Sequence, residues 1–138
     1  MKMNPVVHFE MPAEDKKRMA DFYTKVFGWQ TQQMGPEMDE YIVVTTTETD
    51  EKTRRPKMPG AINGGFYGKD KTNINDAPHV VISVDNLDES MKMVTEAGGT
   101  ILHGPDDIPG IGTYASFKDT EGNTAAMLQP APMMEVHP

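Results

Sequence analysis

VVHFEMPAEDKKRMADFYTKVFGW, residues 6–29, reads as a strand, a turn and a helix. Side chains alternate over residues 6–11, so Val7, Phe9 and Met11 share one face of the strand while His8 and Glu10 share the other. Pro12 is expected to stop the strand. Ala13, Glu14 and Asp15 then open a helix with acids at the end where its dipole favours them. Met19, Phe22, Tyr23 and Val26 recur at i, i+3, i+4 and i+7, an apolar stripe suited to cover the Val7/Phe9/Met11 face. Gly28 ends the helix, as a residue tolerant of left-handed backbone should.

The same pattern returns at residues 79–100, HVVISVDNLDESMKMVTEAGGT. A shift of 71 residues lays His8 on His79, Phe9 on Val80, Met11 on Ile82, Val26 on Ala97 and Gly28 on Gly99. An ungapped echo across strand and helix identifies two copies of one supersecondary unit. After the first helix come strands over 29–34 and 41–47 separated by a Gly35-Pro36 turn, a polar loop over 48–59, a glycine-rich strand over 61–67 and a polar linker over 69–78. The second unit runs through a strand over 79–84 and a helix over 87–97 with Leu87, Met91 and Val94 on one side. Strands over 100–103, 113–118 and 123–129 follow, the last two joined by a turn at 119–123. The expected fold is α+β: a single domain over 1–130 made of two βαβββ modules, about 5–68 and 78–130, with a tail at 131–138. One helix can cover only one face of each four-stranded unit, which leaves the other face to curl round a cavity or pack on another sheet; two units side by side are expected to make a cleft-bearing sheet, with a small, partly apolar molecule bound in the cleft between the modules.

Composition narrows the function. A formal charge of −8, from 21 acidic and 13 basic residues, disfavours nucleic-acid backbones and anionic membranes as partners. The basic cluster Lys52, Arg54, Arg55 and Lys57 falls in the polar loop and reads as a solvated face. Without cysteine there are no disulfides, thiolate ligands or cysteine nucleophiles, and with no leader or membrane-spanning run a cytoplasmic location is expected. Twelve methionines are many; Met11, Met19, Met91 and Met127 are expected to fill the core. Nucleophile-elbow, Walker and dinucleotide-binding motifs are absent.

The starts HFEMPAEDKKRMADFYTKVFGW and HVVISVDNLDESMKMVTEAGG, with the closing FKDTEGNTAAMLQP, resemble the vicinal oxygen chelate superfamily of glyoxalase I, extradiol dioxygenases and bleomycin resistance proteins. The resemblance runs from Asn4 to about Pro130 and is nearest to short glyoxalase-like proteins of unassigned activity. It implies four metal ligands, one on the first and one on the last strand of each unit. His8 and His79 match the two first-strand positions. The carboxylates of the last strands fall at or near Asn63 and on Ala126, so both are missing. Conventional metal-dependent glyoxalase I activity is therefore not expected, because two imidazoles alone leave the ion's charge uncompensated and Ala126 offers no base.

Alternation puts Glu10 beside His8, which makes it the candidate catalytic carboxylate. His8, His79 and Glu10 together would form a two-histidine, one-carboxylate set for a divalent metal, as in a dioxygenase-like enzyme. The plainer alternative is that these groups hydrogen-bond to each other or to a ligand. Ser83, Tyr114 and Tyr41 could offer hydroxyls to the same cleft, and Thr124 and Leu128 share the face of Ala126, giving it an apolar part. His103 and His137 are assigned to loop and tail. Three classes stay open: a glyoxalase-like lyase, isomerase or dioxygenase; a protein that binds or sequesters a small, partly apolar molecule in the manner of bleomycin resistance; and an interaction module. The resemblance also implies a homodimer.

Overall fold

The computed structural model describes residues 2–69 and 77–132. His137 lies outside them. The chain divides into two compact units, His8–Pro78 and His79–Pro138 with Met1–Val7.

The first unit contains most of β1 (Val6–Ala13), then α1 (Lys16–Phe27), β2 (Gln30–Gln33), a 3-10 turn at Pro36–Met38, β3 (Ile42–Thr45) and β4 (Asn63–Gly68). Its strands lie in the order β2-β3-β4-β1, with β1 and β4 parallel and the other pairs antiparallel. The core forms where α1 meets the sheet: Ala20, Ile42, Val44 and Phe66 are buried, with Phe9, Met11, Met19, Tyr23 and Trp29 packed around them. Phe9 lies against Gly64, where a Cβ would come 2.5 Å from its ring.

Three local expectations are corrected here. Pro12 does not end the strand but pairs with Tyr67 inside it. The Ala13 carbonyl accepts from Lys69 N–H, so the β4 ladder uses Ala13 and its alternates, and the missing proline N–H falls on the side turned away from β4. The helix begins only at Lys16, and Asp15 is its cap, accepting from Arg18 N–H at 3.0 Å. The apolar stripe is rotated: Phe22 and Val26 are each 54% exposed. Tyr23 occupies the core-facing place, stacked on Trp29 at 4.7 Å, and Phe22 meets it edge-on from outside. Gly28 closes the helix at φ 73° as expected.

The second unit contains β5 (His79–Ser83), α2 (Leu87–Glu96), β6 (Thr100–Ile108), β7 (Gly112–Lys118) and β8 (Thr124–Pro130). Its order is β5-β8-β7-β6, with β5 and β8 parallel. Strand for strand this is the order of the first unit, so the repeat read in the sequence is a repeat of topology. Val84, Leu87, Ala115 and Met127 are its buried core, with Met91 and Val94 against them. Asn86 caps α2 through Glu89 N–H, and Leu87 N–H donates to Gln129 Oε1 at 2.8 Å. β6 runs five residues past the expected end, and His103 is a strand residue paired with Ser116 rather than a loop residue. Asp119 accepts from Glu121 N–H, Asn123 N–H and the Asn123 amide, which lowers its pKa below 3.8 and ties the turn from β7 to β8. Among the described residues no helix is long and apolar enough to cross a membrane.

Candidate functional site

Strand pairing fixes which side chains share a face. In the first unit Glu10 pairs with Gly65, Gly65 with Val43, and Val43 with Gln32. These four residues form one row across all four strands, roughly 14 Å wide at the usual strand spacing. They lie on the face opposite α1, because Phe9, Val44 and Phe66 hold the other face against the helix. His8 and Asn63 pair in the next row, and Gln30 with Thr45. Gln30, Gln32, Val43 and Thr45 on this face, with Thr31 of the edge strand β2, line a small groove.

Tyr41 sits just before β3, and its phenol crosses this face. Its hydroxyl donates to Glu10 Oε2 at 3.0 Å and lies 3.1 Å from His8 Nε2. Because the phenolic proton goes to the carboxylate, the imidazole must donate to the phenol oxygen, which selects the Nε2–H form of His8. Glu10 is only 9% exposed, so its oxygens need such donors in place of water. Gly65 makes room: a Cβ there would overlap the Tyr41 phenol. The Tyr41 backbone is anchored, its N–H donating to Met38 O and its carbonyl accepting from Met34 N–H. Asp39 and Glu40 before it take left-handed φ of 52° and 56°, and the Lys16 ammonium donates to both their carbonyls.

Of the residues expected to matter, His8, Glu10 and Tyr41 therefore come together. Asn63 does not join them. Its Oδ1 accepts from Thr46 N–H at 2.9 Å and its Nδ2 donates to Thr49 Oγ1 at 2.9 Å, which holds the start of the long loop. The pairing also relocates the missing carboxylate. Val81 pairs with Ala126 as Glu10 pairs with Gly65, and Glu10 and Val81 are equivalent in the repeat, so the counterpart of Ala126 is Gly65 rather than Asn63. By the same logic Ser116, paired with Ala126, corresponds to Val43, and Tyr114 to Tyr41.

In the second unit His79 and Ser83 lie on the face of Ala126 and Tyr114, opposite α2, with Ser83 and Tyr114 both paired to Leu128. Val81 and Ala126 are 2% and 0% exposed, so an apolar patch stands where the first unit has Glu10 and Gly65. Sequence reading missed Gln30, Gln32, Val43 and Gly65. The alternation of glutamines in QTQQ was the available signal for the first two.

The match to known proteins can now be placed on this geometry. The family model for the Glyoxalase/Bleomycin resistance protein/Dioxygenase superfamily matches residues 6–127. The chain belongs to this superfamily. A glyoxylase-like domain-containing protein of Didymella fabae is 31% identical over 121 residues, covering 86% of this chain and 88% of that protein. The anthracycline biosynthesis protein DnrV of Streptomyces peucetius is 30% identical over 125 residues, covering 86% of this chain but 44% of that protein, so the chain spans less than half its length. In structure the chain is similar to methylmalonyl-CoA epimerase from Mycobacterium tuberculosis, with a TM-score of 0.62, 12% identity and 94% and 90% of the two chains covered. It is also similar to a superfamily member from Vibrio splendidus 12B01, with a TM-score of 0.57, 16% identity and 92% and 99% covered. At such identities these structures establish the glyoxalase-like fold and nothing finer.

Superfamily members often hold divalent metals, and the residues here do not fit the four-ligand arrangement. Asn63 is committed to Thr46 and Thr49, Gly65 and Ala126 carry no donor, and the Tyr41 hydroxyl stands between His8 and Glu10. Among the described residues no group of three or more His, Cys, Asp or Glu side chains is placed to hold a metal.

Proposed function

We propose that this superfamily member binds a small, partly apolar, oxygen-bearing molecule on the open face of its first unit. The observation that carries the reading is the His8–Tyr41–Glu10 set, a part-buried row of hydrogen-bonding groups beside the groove of Gln30, Gln32, Val43 and Thr45. Such a face offers amides, a phenol and an imidazole to ligand oxygens and Val43 to an apolar body. Catalysis, if the bound molecule reacts, would be proton transfer by Glu10 or His8 at its oxygen-bearing carbon. The acidic balance of the chain favours neutral or cationic ligands. The likeness to an anthracycline biosynthesis protein suggests the first probes.

Calorimetric titration with a neutral anthraquinone and with a cationic anthracycline is expected to give a dissociation constant of about 10 µM or tighter for at least one. Gln32→Ala should weaken it. No saturable heat from either probe would remove the reading. In parallel, turnover of the methylglyoxal–glutathione hemithioacetal with added nickel is expected to be absent, and robust turnover would restore the metal-dependent glyoxalase. A homodimer is proposed for the assembly, supported by the exposure of Phe22, Val26 and Phe27 on α1; light scattering giving the mass of one chain at micromolar concentration would rule it out.

A further inference from the structure

The geometry around Tyr41 points to a ligand class. We propose that His8 and Glu10, above the bare backbone of Gly65, form a cradle that recognises a phenolic hydroxyl and its ring, and that Tyr41 fills this cradle from within the chain. The proposal deepens the reading of the open face as a small-molecule site and rests on it.

Three observations carry it. The phenol is held at both valences of its oxygen: its proton goes to the Glu10 carboxylate and its lone pair takes the His8 N–H, at 3.0 and 3.1 Å. A molecule answering both must donate and accept at one atom, as a hydroxyl does and a ketone or ether does not. The ring then occupies a place that only glycine leaves open, since a Cβ on Gly65 would overlap it. Finally, the equivalent position in the second unit is closed. Ala126 stands at the counterpart of Gly65 and Val81 at the counterpart of Glu10, both buried, so neither the bare backbone nor the carboxylate recurs at these two positions. The open floor and the acid occur together, in the first unit, where the Tyr41 phenol is seated.

Tyr41 can leave without unfolding its segment. Its backbone bonds to Met34 and Met38 are independent of its side chain, so rotation about the Cα–Cβ bond vacates the cradle for an incoming phenol. Tyr41 thus acts as an internal competitor, lowering the apparent affinity by the fraction of time it spends seated.

The test is chemical rescue with 4-methylphenol, the tyrosine side chain as a free molecule. Tyr41→Ala is expected to melt lower than the parent chain and to be raised towards it by 4-methylphenol in a saturable way. Toluene, which has the shape without the hydroxyl, should bind at least about tenfold more weakly, the worth of about one hydrogen bond. Adding Gly65→Ala or His8→Ala to Tyr41→Ala should abolish the preference for the phenol. Tyr41→Phe should respond to neither compound, because its ring still fills the floor. If Tyr41→Ala does not fold by itself, refolding it from urea with 4-methylphenol or with toluene gives the same comparison. Equal responses would reduce the cradle to an apolar hole, and no response to 4-methylphenol would overturn it. Because this test uses the vacated variant, its failure beside intact anthraquinone binding by the parent chain would remove the cradle alone. Rescue without anthraquinone binding would remove only that choice of ligand.

Discussion

Replacing Gly65 by alanine should destabilise the first unit, and the reason can be isolated. In the middle of a strand this change ordinarily stabilises by about 0.5–1 kcal/mol, because glycine loses more freedom on folding. At this position the new methyl would enter the volume of the Tyr41 phenol. If the phenol stays, the overpacking costs about 1–3 kcal/mol. If it leaves, two hydrogen bonds go with it, one of them to the carboxylate of buried Glu10, a loss of about 2–4 kcal/mol. After the backbone gain is set against them, the first route leaves a net cost of about 0–2.5 kcal/mol and the second about 1–3.5 kcal/mol. In a Tyr41→Ala background the obstacle is gone, and the same substitution should be neutral or stabilising by about 0.5 kcal/mol. The assay is equilibrium urea unfolding of all four chains in the double-mutant cycle, with unchanged slope as the check that only stability has moved. The backbone gain cancels in the cycle, so a coupling of about 1 kcal/mol or more is expected. Gly65→Ala that has the same effect in both backgrounds would refute the packing argument.

Truncating Phe66, a fully buried β4 residue in the core with Ala20, Ile42 and Val44, to alanine should cost about 3–5 kcal/mol in urea unfolding. Asn63→Ala removes an acceptor from Thr46 N–H and a donor to Thr49; a loss of about 1–3 kcal/mol is expected, with faster hydrogen exchange at the Thr46 amide. Asp119 is held below its ordinary 3.8 by the N–H groups of its turn. Its contribution is therefore present above the unfolded value and lost as pH falls through the lower folded one. Asp119→Ala should melt below the parent chain at neutral pH, and the gap should close as pH drops beneath 3.8; a gap that stays constant would contradict the assignment.

The repeat was legible because it is written locally. Strand alternation, a capped helix and a closing glycine recur 71 residues apart, and pairing of the first strand with the last in each unit then follows the same rule twice. His8 and Glu10 on one face follow from alternation alone. Alternation makes Tyr41 a candidate hydroxyl but does not show what it reaches, because its reach is set by a glycine on the neighbouring strand. A glycine announces what could pass over it only once the register is known. Register likewise decides between Asn63 and Gly65 as the counterpart of Ala126, and one strand of glycines gives too little pattern to fix it. The misread stripe on α1 has a similar origin. Phe22 and Tyr23 are both apolar enough for the core, and Trp29, beyond the helix, selects Tyr23 by stacking on it.

Gly64 and Gly65 stand side by side in β4, and the rings they admit press from opposite directions, Phe9 from the helix side and Tyr41 from the open side. At this spot the wall between the interior and the open face is a single peptide plane. A change in the volume of Phe9 is thus transmitted to the seat of Tyr41 with no side chain in between to absorb it. Packing on both sides thus depends on one piece of backbone, and neither glycine can be exchanged for a larger residue without consequences on the side it faces.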